Sequence, residues 1–338
     1  MITKSYEWMK TYLPGILFVL LIALLADYLG STFPVVGGAI FSILIGFIIR
    51  QFFGVPSFLG PGVGYTLKKL LKLAIILLGF SFSFSQIASV GLDALVIVII
   101  AVISGVFLTF FISRLAGLHG NIPLLIGLGT GICGATAIVT SSSIIKAKEE
   151  ETLYAVNTIF AFNVLAVFIY PLIGNMLNMS HHEFGIWAGA AIHDTSSVVA
   201  AGYSFSNDAG DTSVVVKLIR TLLLVPAAIG LSFLFTMKSA QNDGVENKWT
   251  AIKKSFPVFI LFFTGAAALN SFISLPENLT DQTSSMAKFI IIMVMASVGL
   301  GTDIKKIKAT GLRPLLVGLI SSAIMGGISL ALVLYASQ

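Results

Sequence analysis

Two apolar runs long enough to cross a bilayer are each interrupted near the middle by small and polar residues. The first interruption reads Gly129-Thr-Gly-Ile-Cys-Gly-Ala-Thr-Ala-Ile138, and the second Gly189-Ala-Ala-Ile-His-Asp-Thr-Ser-Ser-Val198. Laid over each other they match at Gly129/Gly189, Ile132/Ile192, Thr136/Ser196 and Val139/Val199. Lipid cannot hydrogen-bond loose backbone, so irregular chain at membrane depth persists only where protein buries it or where it lines a wet cavity. Paired interrupted segments in corresponding positions are the best sequence pointer to a transporter's binding site.

The remaining chain supports the membrane reading. Of 338 residues, 57% are hydrophobic and only 10% charged, against about 25% charged in a soluble domain. A span needs about 20 mainly apolar residues. Candidates run Pro14–Gly30, Val35–Arg50, Leu67–Phe84, Leu92–Ser113, Ile122–Ile145, Leu153–Leu172, Phe184–Phe205, Ser213–Thr236, Phe256–Phe272, Ala287–Gly301 and Pro314–Tyr335. The expected fold is an all-α polytopic membrane protein of about eleven apolar segments, forming a single transporter domain over residues 1–338. The net charge of +5 does not point to nucleic acid, because Lys and Arg sit mostly at the ends of apolar runs, as the positive-inside rule requires. A single cysteine, Cys133, excludes an intrachain disulfide.

Lys4, Lys10, Arg50, Lys68, Lys69, Lys72 and Arg114, with Lys238, Lys248, Lys253, Lys254, Lys305, Lys306, Lys308 and Arg313, fall on one side if the segments alternate. That side is expected to be the cytoplasm, with the N-terminus inside and the C-terminus outside. Lys146 and Lys148 break the alternation, and so does the Lys- and Arg-free loop Asn175 to Glu183. Both anomalies vanish if segments 122–145 and 184–205 are re-entrant hairpins entering from opposite sides. Two discontinuous helices that cross fully are the rival arrangement. A second internal similarity pairs Lys68/Lys288, Gly79/Gly299, Ile87/Ile307, Gly91/Gly311, Leu92/Leu312 and Leu95/Leu315. The third and tenth segments would run in opposite directions, which gives the chain inverted-repeat character. The offsets of the two similarities do not fit one simple duplication.

Ionisable groups at membrane depth are costly and usually face a cavity or a partner. His193 and Asp194 stand in the middle of the second interrupted run. Either can serve as a proton- or Na⁺-coupling group; a structural pair, or an Asp capping a half-helix, is the bland alternative. Lys217 and Arg220 are three apart in an apolar run, hence on one helix face. The guanidinium fork suits an oxyanion; snorkelling to the interface is the alternative for both. Arg220 can also partner Asp194. The candidate substrate set is Gly129, Thr130, Gly131, Cys133, Gly134, Thr136, Thr195, Ser196, Ser197, Lys217 and Arg220. The hydroxyls among them can equally bond within their helices, and Cys133 reads first as a packing residue. Asn157, Asn163 and Asn270 are polar residues that can bridge helices. No nucleophile elbow accompanies Ser196, His193 and Asp194, so a hydrolase is not expected, and no metal or other cofactor is expected.

At these residues the chain resembles the YeiH-type sulfate exporter family of bacterial inner-membrane proteins. The resemblance rests on the stretch from Gly129 to Ile138, the His193-Asp194 segment through Val198-Val-Ala-Ala-Gly202, and Lys217-Leu-Ile-Arg220. Leu73-Ala-Ile-Ile-Leu-Leu-Gly79 and Val298-Gly-Leu-Gly301 match it as well. Members of that family often carry Glu where Asp194 stands and Gln where Ser197 stands. The departure keeps an acid at 194 and weakens the case for the hydroxyl cluster after it as a shared ligand set. The resemblance implies a secondary transporter in the inner membrane that exports a small inorganic or organic anion such as sulfate, coupled to a proton or Na⁺. The residues themselves leave a monovalent cation/proton antiporter and a gated anion channel as alternatives, and leave open whether the chain forms a homo-oligomer.

Overall fold

A computed structural model describes residues 2–33, 37–238, 257–273, 275–303 and 312–336. Lys248, Lys253, Lys254, Lys305, Lys306 and Lys308, on which the expected orientation partly rests, lie outside the described residues, as do Val35, Phe256, Ile307 and Gly311. The described residues form helices and no strand: α1 (Ile2–Thr32), α2 (Gly37–Phe52), α3 (Gly60–Tyr65), a π-helical turn (Thr66–Leu70), α4 (Leu71–Gly79), α5 (Phe84–Leu115), α6 (Ile122–Gly131), α7 (Ala135–Ile145), α8 (Glu149–Met176), α9 (His181–Ala191), α10 (Thr195–Phe205), α11 (Asn207–Leu222), α12 (Leu224–Lys238), α13 (Val258–Ile273), α14 (Glu277–Gly301) and α15 (Leu312–Ala336). Six stretches, Tyr6–Thr32, Phe84–Leu115, Glu149–Met176, Asn207–Phe235, Glu277–Gly301 and Leu315–Ala336, are long and apolar enough to span a membrane. Shorter apolar helices occupy Gly37–Phe52, Ile122–Gly131, Ala135–Ile145 and Val258–Ile273. The chain is thus an all-α, polytopic membrane protein.

The chain divides into two compact units, Met1–Ala88 with Val258–Ile304, and Ser89–Pro257 with Lys305–Gln338. In the first unit α2 and α14 lie side by side and run the same way. Ser42 Oγ donates to the Ile292 carbonyl, Gln51 Nε2 to the Thr302 carbonyl, and Arg50 pairs with Asp303 at 2.6 Å. Gly46 and Gly299 bring the two backbones together: a Cβ on either would strike the facing helix's main chain. Close approach through small residues is how apolar helices associate where burial from water drives nothing.

In the second unit both interrupted runs turn back on themselves. Along α9 and α11, Gly185 meets Thr212 and Gly189 meets Val216, and Arg220 reaches the Ile192 carbonyl. Those two helices therefore run parallel. Yet Gly202, near the end of α10, meets Gly210 and Ser213 near the start of α11. The rings of Phe184 and Phe205 stack at 4.0 Å between centroids. A straight continuation would carry residue 202 about 15 Å beyond residue 192 at 1.5 Å per residue; instead α10 comes back beside α9. The first interrupted run does the same. Asn121 is tied to Glu151 at the start of α8, and Gly129 meets Ile159 further along, so α6 runs parallel to α8. Its return helix α7 ends at Ile145, three residues before Lys148 opens α8, and Ile138 packs back on Gly129.

The bases of the hairpins lie at opposite ends of α8. The α6/α7 base sits beside Glu151, and the α9 start sits where Phe184 meets Gly174. Of the two arrangements left open by the sequence, the second unit contains hairpins and not helices that continue straight on. Each base is capped by a glutamate: Glu151 Oε2 accepts from the Lys148 N–H, and Glu183 Oε2 accepts from the Ser180 N–H while Ser180 Oγ accepts from the Glu183 N–H, a capping box. Capping supplies partners for helix-end N–H groups that have none inside the helix.

Candidate functional site

The two hairpin tips meet on α11. The offset seen in the sequence is reproduced element by element: Ile132 and Ile192 are the C-caps of α6 and α9, and Gly134 and Asp194 the N-caps of α7 and α10. Gly134 has φ +68° and ψ −131°, a conformation essentially reserved for glycine. A Cβ placed on it would touch the Asp194 Cα and the His193 carbonyl at 3.5 Å, so the two turns lie against each other.

Each tip ends a helix and begins another. Ending α6 and α9 exposes carbonyl oxygens with no partner in their own helix, carrying the negative end of the helix dipole. Lys217 and Arg220, both fully buried, supply the missing donors. Lys217 Nζ donates to the carbonyls of Ile132 (3.2 Å) and Ile192 (2.8 Å). Arg220 Nε donates to Gly131 (2.9 Å), Nη1 to Ala190 (2.7 Å) and Ile192 (2.9 Å), and Nη2 to the Thr130 carbonyl and, at 3.6 Å, to Met325 Sδ. A guanidinium has five N–H donors, and here each has an acceptor. Neither side chain snorkels, and neither pairs with Asp194. The two cations pin one hairpin to the other through five carbonyls at the C-terminal ends of α6 and α9.

His193 is also buried inside the junction. Its Nδ1 lies 3.1 Å from the Thr130 carbonyl and its Nε2 2.8 Å from Ser322 Oγ. A carbonyl only accepts, so Nδ1 carries the hydrogen; in the neutral ring Nε2 then accepts from the Ser322 hydroxyl. This is a satisfied structural histidine that ties the α9/α10 tip to α6 and to α15. Cys133 is buried at the other tip as a free thiol.

The N-terminal ends of the returning helices differ. Asp194 is half-buried and caps α10: its Oδ2 accepts from the Ser196 N–H at 3.0 Å and from the Ser196 hydroxyl. Its own N–H donates to Asn163 Oδ1 on α8 at 3.1 Å. Thr195 is half-buried, Ser197 buried, and Thr136 in the first turn of α7 is exposed. The substrate set from the sequence thus divides. Gly129 is a packing position against Ile138 and Ile159, and Thr130 and Gly131 contribute carbonyls held by Arg220. At the N-terminal turns Thr136 is exposed and Asp194 and Thr195 are half-buried, while Gly134 and Ser196 are buried. Sequence reasoning placed Asn163 as a helix bridge and missed its bond to the Asp194 backbone. It missed Ser322 and Met325 entirely, because a serine or methionine in an apolar helix carries no local signal. Among the described residues no group of three or more His, Cys, Asp or Glu is placed to hold a metal.

Comparison with known proteins agrees with the resemblance noted above. Residues 14–318 match the family described as Conserved hypothetical protein 698. The chain is 35% identical over 327 residues to a UPF0324 membrane protein of Streptococcus pyogenes serotype M18, covering 95% of this chain and 96% of that one. It is 34% identical over 329 residues to a UPF0324 membrane protein of Clostridium tetani, covering 94% and 95%. A UPF0324 membrane protein of Streptococcus mutans is 35% identical over 314 residues, covering 90% and 92%. Similarity at this level along almost the whole length shows that the chain belongs to the UPF0324, YeiH-like family of membrane proteins.

Proposed function

We propose that the protein is a secondary active transporter of a small anion, working by alternating access around the junction of the two hairpin tips. One observation carries the reading: hairpins based at opposite ends of α8 bring two helix N-termini together, while Lys217 and Arg220 hold the C-terminal carbonyls behind them. A site used from both faces of a membrane must lie between them, and broken helices at the interface of inverted repeats are the usual way of building one. The inverted-repeat reading is supported by the element-by-element match of the hairpins and by the Gly79/Gly299 similarity.

The anion would sit on the N-terminal turns Gly134–Thr136 and Asp194–Ser196. The N–H groups of Gly134, Asp194 and Ser196 already have acceptors; the positive dipole ends of α7 and α10 still favour negative charge there, and the Thr136 and Thr195 hydroxyls add donors. Lys217 and Arg220 act one layer behind: they hold the turns and contribute charge without touching the substrate. Asp194 is the coupling group. A carboxylate beside an anion site opposes binding by like charge, and protonation relieves that opposition, so proton and anion would move together. The setting is the bacterial inner membrane, with the N-terminus cytoplasmic by the Lys/Arg distribution.

Proteoliposomes test the reading. Uptake of the substrate anion should saturate, respond to an imposed proton gradient and show counterflow. Asp194→Asn should keep counterflow and lose gradient-driven accumulation. Flux without saturation or counterflow would mean a channel. The engagement of every Arg220 donor with backbone or Met325 favours one second reading, a cation/proton antiporter in which Asp194 binds the cation. Stabilisation by Na⁺ alone, lost in Asp194→Asn, would select it.

A further inference from the structure

We propose that the end of the first unit formed by α1, α3 and the π-helical turn is a binding site for the phosphate headgroup of an anionic phospholipid. The rings of Trp8, Tyr12 and Tyr65 form a triangle there, with centroids 5.2–5.5 Å apart. Tyr and Trp concentrate at the level of the lipid headgroups, where an apolar ring can meet hydrocarbon and its polar tip can meet water. The rings are held by close backbone contact, since a Cβ on Gly62 would strike the Tyr12 carbonyl and Gly15. They mark a depth along the unit, and three residues after Tyr65 the chain carries Lys68, Lys69 and, one turn on, Lys72.

All three lysines are exposed. Among the described residues no carboxylate lies within ion-pair distance of any of them. The acidic residue at this end of α1, Glu7, pairs with none of them. Lys72 Nζ instead lies 5.5 Å from the centre of the Phe259 ring. Lys68 and Lys72 are like charges at i, i+4, a spacing that destabilises a helix, and an anion bound at this end would relieve it. The π-turn strengthens the case. It spans Thr66–Leu70, begins at the buried Thr66, whose hydroxyl donates to the Gly62 carbonyl at 3.1 Å, and contains Lys68 and Lys69. Such turns are rare and occur frequently at functional sites. Three donors with aromatic rings at headgroup depth match a lipid phosphodiester: charge to charge, with the acyl chains lying along the apolar surface below.

The test uses the full chain in neutral detergent, titrated with short-chain phosphatidylglycerol, short-chain phosphatidylcholine or inorganic phosphate. A ligand bound only by the folded state raises its apparent stability. Phosphatidylglycerol should stabilise the wild type, and the other two should not. Each lysine near an anionic headgroup is worth about fivefold in affinity, so Lys68→Gln/Lys69→Gln/Lys72→Gln should weaken binding about a hundredfold. Arg114→Gln/Lys146→Gln/Lys148→Gln, which removes the same net charge in the second unit, should leave it unchanged. If the first triple variant does not fold, Lys68→Gln and Lys69→Gln singly should each lower the number of phosphatidylglycerol molecules retained in native mass spectrometry. Equal weakening by both triple variants, equal retention by the single variants, or an equal effect of inorganic phosphate would overturn the site.

Discussion

Arg220 and Lys217 show how a residue's chemistry can be correct and its partner still unforeseen. The sequence marks both as buried cations on one helix face, and an oxyanion is the partner that a guanidinium suggests. Their acceptors turn out to be backbone carbonyls at two helix ends, which have no side-chain signature and so cannot be read from sequence. Removing such a donor leaves buried acceptors unsatisfied. Arg220→Met should cost about 1–3 kcal/mol for each buried carbonyl left without a donor in chemical or thermal unfolding, whether or not an anion is present. A loss that appeared only with the anion would mean that Arg220 contacts substrate directly. Asp194 is legible in a different way. An Asp at a chain break is a natural N-cap, and it is one here. Asp194→Ala should therefore cost about 1 kcal/mol of stability, whereas Asp194→Asn, which can still cap, should be nearly neutral in unfolding and act on coupling alone. Equal destabilisation by both would assign Asp194 a buried structural role.

The two hairpins carry the element-scale argument. Their existence as broken segments was legible, because ending and restarting a helix inside an apolar run needs glycine, or a polar cap, at fixed positions: Gly134 in one tip and Asp194 in the other. Their direction of return was not. A run of some 24 apolar residues with a break in the middle reads the same whether the second half goes on or turns back. Only Lys146 and Lys148, with the Lys- and Arg-free loop Asn175 to Glu183, hinted at the answer, through charge rather than pattern. The turn-back depends on glycines that admit a neighbouring helix. Gly189→Val would drive its side chain into Val216 and the Ser213 carbonyl, and overpacking of this kind costs about 1–3 kcal/mol. Gly134→Ala would make only ordinary contacts, at 3.5 Å with Asp194 and the His193 carbonyl, so its cost is backbone strain, about 1–3 kcal/mol. Direction can be tested without function. In a Cys133→Ser background, a cysteine at Lys148 and another at His182 should react with a membrane-impermeant thiol reagent from opposite sides. Reaction of both from one side would contradict hairpins based at opposite ends of α8.

For the whole molecule, the composition fixes a polytopic membrane protein, and the family match places the chain among UPF0324 membrane proteins along almost its full length. The transport reading rests on the meeting of the two hairpin tips in the second unit, where the C-terminal carbonyls are held by buried cations and the N-terminal turns carry Thr136, Asp194 and Thr195 with part of their surface exposed. The most direct measurement is thermal stability of the purified protein across a panel of small anions and monovalent cations, on the wild type and on Thr136→Val/Thr195→Val. A ligand that binds the folded state must raise its apparent stability. The account predicts that at least one small oxyanion, sulfate being the first to try, stabilises the wild type and loses most of its effect in the double variant. Stabilisation by Na⁺ or by pH alone, with no anion effect and no difference between the two proteins, would contradict an anion site at the N-terminal turns.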